Sequence, residues 1–483
     1  MDKSQVNDFM SNDSINHEIE VSDECKQYHE FRIGALKSEF HINIHEKIAN
    51  CLRPENDSYE LSNKLDAMWR YRWSTIYRRG CSSPIFSRIN KINNTLIIDC
   101  PLSMQPKYGF SNRASVFEDY IEPVSLDDHE WVYAQCHLPF YSEPTVRLHF
   151  HAQPFSNRKS VKKSKKANVV FIQFDALGRQ GFYRRMPRSY QLLTSYRNDS
   201  SSFSLSELSG VEAIEFFHLN VNGFNSEPNM NRLYCGIGNC QTTSLLNLYK
   251  EAKYCTSFLE SYSYQLWDHI PSHSVDRILA ENYFQEFGGD TVELYQENSG
   301  CVSNTTWIVD EMLDYIRDRF VMMRQGGWFS INNIVDAHSE DELNNFSVMD
   351  TKFSHFLLQL NQSNALDNTI LILLGDHGLH RHDWKELWRE FDQRNPFLQI
   401  LIGKNIKGSK NIIKHLKANR NKLVTHADIY LTFATFSTTS LSLIPSAAIN
   451  LFKEYIPDSR TCQTAEIPDK WCNCWIPKSC PKF

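Results

Sequence analysis

Four apolar runs constrain this chain more than any other feature. Residues 168–174 (NVVFIQF) lead into Asp175, and residues 327–335 (GWFSINNIV) lead into Asp336. Residues 368–374 (NTILILL) lead into Gly375-Asp376, and residues 396–402 (PFLQILI) end at Gly403. A strand with one face in water alternates apolar and polar residues. Runs without that alternation suit strands covered on both faces, as in a parallel sheet. Between the runs the period becomes helical. Ile308, Met312, Ile316 and Phe320 share one face, and Met349, Phe353, Phe356 and Leu360 share another. Strands alternating with helices predict a layered α/β domain with a mainly parallel central sheet.

That pattern starts at residue 168, and what precedes it is different. Residues 1–45 are polar and read as a loose N-terminal segment. Residues 46–157 hold short β-like runs (TLIID at 95–99, WVYAQ at 131–135, TVRLHF at 145–150), bracketed by Cys100 and Cys136. They predict a small β-rich accessory domain. A basic linker fills 158–167, the catalytic-type α/β domain 168–445, and a Cys-rich tail 446–483. With 483 residues there is room for all of these. The sequence shows neither a membrane-length apolar run nor an N-terminal apolar stretch of the signal-peptide kind.

In open α/β sheets ligands bind at the carboxyl ends of the strands, which is where Asp175, Asp336 and Asp376 fall. One such Asp can be a plain helix cap. Three, with histidines beside two of them, point to a cation site. Asp376-His377-Gly378 offers a carboxylate and an imidazole on one tight loop, a donor set suited to Zn²⁺ or Mn²⁺. Asp336-Ala-His338 adds a second imidazole, and His426 in Thr425-His-Ala-Asp428 a third, at the start of a helix. His380 and His382 read as incidental loop residues. Ser226 lies in GFNSEPNMNRL (223–233), where Gly and Asn make a loop and Pro228 suits a first helical turn. A serine there is either an ordinary N-cap or a nucleophile beside unpaired N–H groups that favour an anion.

Cysteine usage and charge bear on compartment and partner. Of 13 cysteines, Cys462, Cys472, Cys474 and Cys480 crowd into the tail; the spacing fits no common zinc module and suits disulfides. Asn-x-Ser/Thr sequons recur along the chain, which with the cysteines predicts passage through the secretory pathway, with an anchor or signal missing from this sequence. Lys and Arg number 51 and Asp and Glu 57; the net charge of −6 gives no general attraction to nucleic acid, and no nucleic-acid partner is expected.

The order of these residues resembles the alkaline phosphatase and sulfatase superfamily. The strings FIQFDALGRQGFYRRMPRSY, FSVMDTKFSHFL, LILLGDHG, RNPFL and SRTCQTAEIPDKWCNCW are similar, more narrowly, to the animal sulfatase-like family catalogued as domain of unknown function 229, over about residues 125–475. The resemblance implies an alkaline-phosphatase-like sandwich and a metal-supported hydrolase or transferase of phosphate or sulfate esters. It implies that Asp175, Ser226, Asp376 and His377 form the nucleophile-side metal cluster. It gives His338 a second metal or the substrate anion, Asp336 and His426 supporting metal roles, and catalysis to Ser226 and His338. It also implies a secreted or membrane-anchored protein acting on a small-molecule, lipid or glycan ester.

Two departures shape the expectation. Sulfatases mature the Cys or Ser of a Cys-x-Pro-x-Arg run to formylglycine, whereas this chain has Ser226-Glu-Pro-Asn-Met230, without the Arg. The middle strand carries Asp-x-His, where two-metal phosphatases have Asp-x-x-x-His. The expectation is therefore a phosphate mono- or diesterase or transferase using Ser226 and Zn²⁺ or Mn²⁺. The alternatives are a Ca²⁺-type sulfatase and a catalytically inactive extracellular binding protein on the same fold.

Overall fold

A computed structural model describes residues 85–473 outside 111–116, 127–128, 140–143, 154–165, 195–207, 209, 262–276, 279–294, 297–300, 303–305, 336–341, 380–391 and 438–445, together with 47–48 and 51–52. Its centre is a seven-stranded sheet. The strands are β1 (Asn168–Phe174), β2 (Val211–Glu215), β3 (Cys255–Glu260), β4 (Arg277–Ile278), β5 (Trp328–Ile334), β6 (Thr369–Gly375) and β7 (Leu398–Gly403). Their spatial order is β2-β7-β6-β1-β5-β3-β4. β1 pairs in parallel with both β5 and β6, and β3 pairs in parallel with β5 and β4.

Two layers of helix enclose the sheet, as the unbroken apolar runs require. Alternate residues of β1 go to opposite faces. Val170, Ile172 and Phe174 join a core with Phe182, Ile308, Met312, Ile316, Met349 and Phe353. Val169 and Phe171 join a second core with Leu233, Tyr249, Leu416, Ile429 and Phe433. The first layer is therefore α1 (Arg179–Arg185), α2 (Pro187–Thr194), α5 (Ile308–Met322) and α6 (Glu342–Gln362). The second is α3 (Ser226–Cys235), α4 (Leu245–Glu251), α7 (Ser409–Asn419) and α8 (His426–Ser437). Each buried Phe, Ile or Leu side chain contributes about 1.5–3 kcal/mol relative to exposure. The α/β class and the helical faces read from the sequence are observed.

One strand departs from expectation. The run at 396–402 is strand β7, and it lies antiparallel to both β6 and β2. An apolar run covered on both faces carries no information about direction, since helices bury it equally either way. As a result Gly403 lies at the far edge of the sheet, and residues 392–397 lie at the edge where β1 and β6 end. Two strands, β2 (VEAIE) and β3 (CTSFLE), were not among the apolar runs because polar residues interrupt them.

The β-rich region forms a three-stranded sheet (Ser87–Asn90, Thr95–Ile98, Val124–Ser125) and a four-stranded sheet (Lys107–Gly109, Glu118–Asp119, Trp131–Cys136, Thr145–Phe150). A disulfide joins Cys100 and Cys136. The region packs on the α/β unit: Tyr133, Val146, Leu148 and Phe150 share the core of α5. Buried Arg319 on α5 pairs with Glu130 from the β-rich side, and Tyr315 donates to the same carboxylate at 3.3 Å. Further disulfides join Cys235 to Cys240 and Cys462 to Cys472. Cys474 and Cys480, with residues 1–46, lie outside the described residues. No helix among the described residues is long and apolar enough to cross a membrane.

Candidate metal centre

Adjacent strands bring the first two acids together. In the β1–β6 pair Phe174 is opposite Gly375, so Asp175 and Asp376 leave the sheet side by side. After Asp175 the chain turns sharply, with Ala176 in the left-handed region (φ +60°), a conformation that costs a non-glycine residue about a kcal/mol or more. The turn is held from across the site: the Ala176 N–H donates to Asp376 Oδ1 at 3.1 Å. The strand end is too tight for side chains on the partner loop. A Cβ on Gly375 would lie 2.1 Å from the Leu177 carbonyl oxygen, and one on Gly378 would lie 2.2 Å from that of Asp392.

Asp175, Asp376 and His377 present ligand atoms that all lie within 4.8 Å of one another, and all three residues are buried. His377 Nδ1 is 2.7 Å from the Gly378 carbonyl oxygen. A carbonyl only accepts, so Nδ1 carries a proton and Nε2 is the nitrogen whose lone pair would go to an ion. That lone pair faces Asp376 Oδ2 at 3.4 Å, Asp175 Oδ1 at 3.7 Å and Ser226 Oγ at 3.3 Å. Ser226 Oγ is also 3.5 Å from Asp175 Oδ1. Asp376 is fully buried, and its Oδ2 has no hydrogen-bond partner among the described residues.

This arrangement passes the test for a divalent cation. Two carboxylates and an imidazole lone pair turned toward one another repel unless positive charge lies between them, and a buried unpaired carboxylate oxygen is costly. The second partner of His377 is the backbone contact that fixes a metal-bound imidazole in other proteins. Oxygen and imidazole donors together suit Zn²⁺ or Mn²⁺.

Ser226 arrives from a loop that one side chain organises. It is the first residue of α3, behind Asn225 in extended conformation, and Asn225 makes no side-chain cap. Instead, buried Asn229 Oδ1 accepts from the Asn222 and Gly223 N–H groups at 2.7 and 3.1 Å. Its Nδ2 donates to the Gly223 and Asn225 carbonyls at 3.2 and 2.8 Å. The segment 392–395 laces this loop to the metal loop. The Gly378 N–H donates to the Gln393 carbonyl, Gln393 Nε2 to the Phe224 carbonyl at 3.2 Å, and the Val221 N–H to the Arg394 carbonyl.

His426 opens α8 and is fully buried, with its ring against the Gly375 backbone. Burial holds its pKa down at about 4; the Asp376 charge pulls the other way, and neighbouring His377 adds to the lowering. His426 is thus a neutral imidazole next to Gly375 and Asp376, outside the Asp175–Asp376–His377 group whose ligand atoms lie within 4.8 Å of one another. Asp428 faces away: it accepts from the Thr425 N–H at 2.7 Å and from the Ile449 N–H at 2.7 Å, and pairs with Arg460.

The structure thus gathers Asp175, Ser226, Asp376 and His377, with His426 next to them. Asp336, His338, His380 and His382 lie outside the described residues, though β5 ends beside β1 at Ile334, two residues before Asp336. Asn229, Gln393 and the Arg460–Asp428 pair were not anticipated. Their types are common in loops, and only their partners, far along the chain, distinguish them.

Residues 291–482 match the model of the family described as "Protein of unknown function (DUF229)", the family anticipated from the motifs, over a span that starts later than the resemblance did. No curated protein matches the sequence. Among solved structures the chain is similar to a protein in the alkaline phosphatase superfamily from Vibrio parahaemolyticus (16% identity, 57% of this chain and 67% of that one, TM-score 0.37). It is also similar to the lipoteichoic acid synthase LtaP from Listeria monocytogenes (11% identity, 60% and 77%, TM-score 0.39). A third is the C-terminal periplasmic domain of EcEptC from Escherichia coli in complex with Zn (10% identity, 57% and 83%, TM-score 0.38).

Proposed function

We propose that the chain is a metal-dependent hydrolase or transferase of phosphate mono- or diesters with Ser226 as its nucleophile. The observation that carries this is the convergence of the Ser226 hydroxyl on a buried Asp175–Asp376–His377 cluster whose Asp376 Oδ2 has no hydrogen-bond partner among the described residues. Asp175, Asp376 and His377, with Ser226 and His426, would hold the ion. A divalent cation, Zn²⁺ or Mn²⁺, lowers the pKa of a serine hydroxyl and offsets charge on the group being transferred.

The residues supply the rest. Asn229 and the first turn of α3 hold Ser226 Oγ in place and aim backbone N–H groups at the site, a fit for an anionic group. Ser226 Oγ attacks the phosphorus; its bond to phosphorus forms as the bond to the ester oxygen breaks, and the alcohol leaves. Water or an acceptor alcohol then takes the phosphoryl group from phospho-Ser226. Asp175 Oδ1 is the acceptor within reach of the serine proton, which then goes to the departing ester oxygen so that it leaves as the alcohol. Roles for Asp336 and His338 at the neighbouring strand end rest on their place in the sequence.

The sulfatase reading is disfavoured by Met230. It occupies the position of the maturation arginine and is buried in the apolar core of α3 and α8, leaving no cationic group there. An inactive binding protein would not require a serine hydroxyl turned into that cluster. The substrate would be a small-molecule, lipid or glycan ester. The three disulfides among the described residues support an oxidising compartment, outside the cell or in the secretory lumen.

The test is turnover of paired 4-nitrophenyl phosphate and 4-nitrophenyl sulfate by wild type and Ser226→Ala, with Zn²⁺ or Mn²⁺ supplied. Phosphate turnover that disappears in Ser226→Ala, with phospho-Ser226 trapped in the wild type and read by mass spectrometry, is the expected result. Equal rates in both proteins would remove Ser226 as nucleophile, and cleavage of the sulfate alone would restore the sulfatase reading.

A further inference from the structure

The tail motif, SRTC…WCNC, is the most distinctive string in the sequence and has no part in the chemistry above. Its residues nevertheless reach the two segments that present Ser226 and His426. Leu219–Asn220 pairs in parallel with Val424–Thr425, so the approaches to Ser226 and to His426 run side by side. The tail spans both. Arg460 is buried and pairs bidentately with buried Asp428, Nη1 to Oδ2 and Nη2 to Oδ1, each at 2.8 Å. It also donates to the Leu423 carbonyl at 3.0 Å and the Ala447 carbonyl at 2.8 Å. Asp428 in turn accepts the Thr425 N–H, which fixes the first turn of the helix that His426 opens. Further along the tail, Asn220 Nδ2 donates to the Trp471 carbonyl and the Asn473 N–H donates to Asn220 Oδ1, both at 2.8 Å. The Cys462–Cys472 disulfide closes the strap, whose apolar side (Cys462, Ala465, Ile467) packs on Leu423.

We infer that Arg460 is a positioning residue for the metal centre, acting through Asp428 on His426, and that the tail is a strap ordering the site. The inference rests on the reading of this cluster as a metal site. The geometry is specific to arginine, since one planar guanidinium satisfies both carboxylate oxygens and two carbonyls at once, which an ammonium does not. The His426 ring lies against the Gly375 backbone, at the end of the strand that carries Asp376, and the first turn of α8 sets how it meets that strand end. Groups one shell out from a metal ligand change metal affinity by about 10–100-fold when removed.

The experiment measures Zn²⁺ affinity of the purified full chain by competition with a chromophoric chelator, alongside the thermal midpoint of the metal-free protein. The proteins are wild type, Asp376→Asn, Arg460→Lys and Arg460→Met. Asp376→Asn reports on the metal-site reading itself and should bind far more weakly than wild type. Arg460→Met should weaken binding by at least about tenfold, within the range for outer-shell groups, with Arg460→Lys in between. If Arg460→Met lowers the midpoint but binds Zn²⁺ as wild type does, while Asp376→Asn has lost binding, Arg460 is only structural and the inference falls. If Asp376→Asn also binds as wild type does, the metal-site reading falls and takes the inference with it. Should Arg460→Met fail to fold, the pair Asp428→Asn with Arg460→Met leaves no buried charge without its partner and carries the same expectation.

Discussion

At Asn229 a single amide closes four backbone hydrogen bonds around the turn that delivers Ser226. Replacing it by Ala leaves the half-buried Asn222 and buried Gly223 N–H groups without that acceptor, and an unmet buried donor costs about 1–3 kcal/mol. Asn229→Ala should therefore lower the unfolding free energy by about 2–3 kcal/mol, in line with that cost. It should also reduce 4-nitrophenyl phosphate turnover by at least about tenfold, since about 1.4 kcal/mol of misplacement suffices for that. Asn229→Asp keeps the acceptor and loses the donors, and should fall between. Urea titration and a steady-state assay on the three proteins check this; full activity in Asn229→Ala would mean the loop holds Ser226 without it.

Among elements, the decisive joint is between α3 and β1. Tyr234, two turns beyond Ser226, donates its hydroxyl to Gln173 Oε1 at 2.7 Å, and Gln173 stands two residues before Asp175. Burial, with the Asp376 and Glu260 charges, holds the Tyr234 phenol well above its usual pKa, so it stays a donor. Around this bond Phe171 packs edge-on against Tyr234, Phe329 and Phe433. Tyr234→Phe keeps the packing and strands a buried amide oxygen, so it should cost about 1–3 kcal/mol. Its second effect should be on chemistry, because the helix then loses its register against the strand that carries Asp175: kcat should fall with KM little changed. Denaturant midpoints and steady-state kinetics test the two halves separately, and a variant of unaltered kcat would limit the bond to stability.

For the whole molecule, the seam between the β-rich sheets and α5 sets the response to pH. His149 bonds Ser87 Oγ at 2.9 Å, and burial, helped by Arg147, holds its pKa down at about 3. Glu311 accepts from the Phe150 N–H at 3.3 Å, and its removal from water, with Asp314 and Asp310 nearby, pushes it up to about 7 against the pull of Arg147. A lowered histidine stabilises fully above its unfolded pKa of about 6.5, and that contribution is lost as pH falls. A raised glutamate stabilises fully below its unfolded value, and its contribution is lost as pH rises toward 7. Between those unfolded values the two slopes oppose each other; on the alkaline side only the glutamate loss remains. Glu311→Gln should thus match wild type near pH 4.5 and exceed it at pH 8 by on the order of 2 kcal/mol. Urea midpoints at the two pH values decide the matter, and a gap that does not widen with pH would show Glu311 ionised without cost.

Local pattern was enough for much of this protein. Unbroken apolar runs announced covered strands, and helical spacing announced α5 and α6. The rule that ligands gather at carboxyl ends of strands singled out Asp175, Asp376 and His377, because strand burial and chain adjacency are properties of short segments. The tertiary structure alone decided the rest. Nothing in PFLQILI distinguishes a parallel from an antiparallel strand, and β7 became antiparallel through its pairing with β6 and β2. Ser226 could have been an ordinary first-turn serine. What makes it more is contact with Asp175 and His377, 51 and 151 residues away. Arg460 and the tail motif were visible as a string and mute as to role, since Asp428 is 32 residues distant and Asn220 lies 251 residues before Trp471. Such contacts follow from how sheet, helices and strap pack together, and packing is a property of the assembled chain rather than of any window within it.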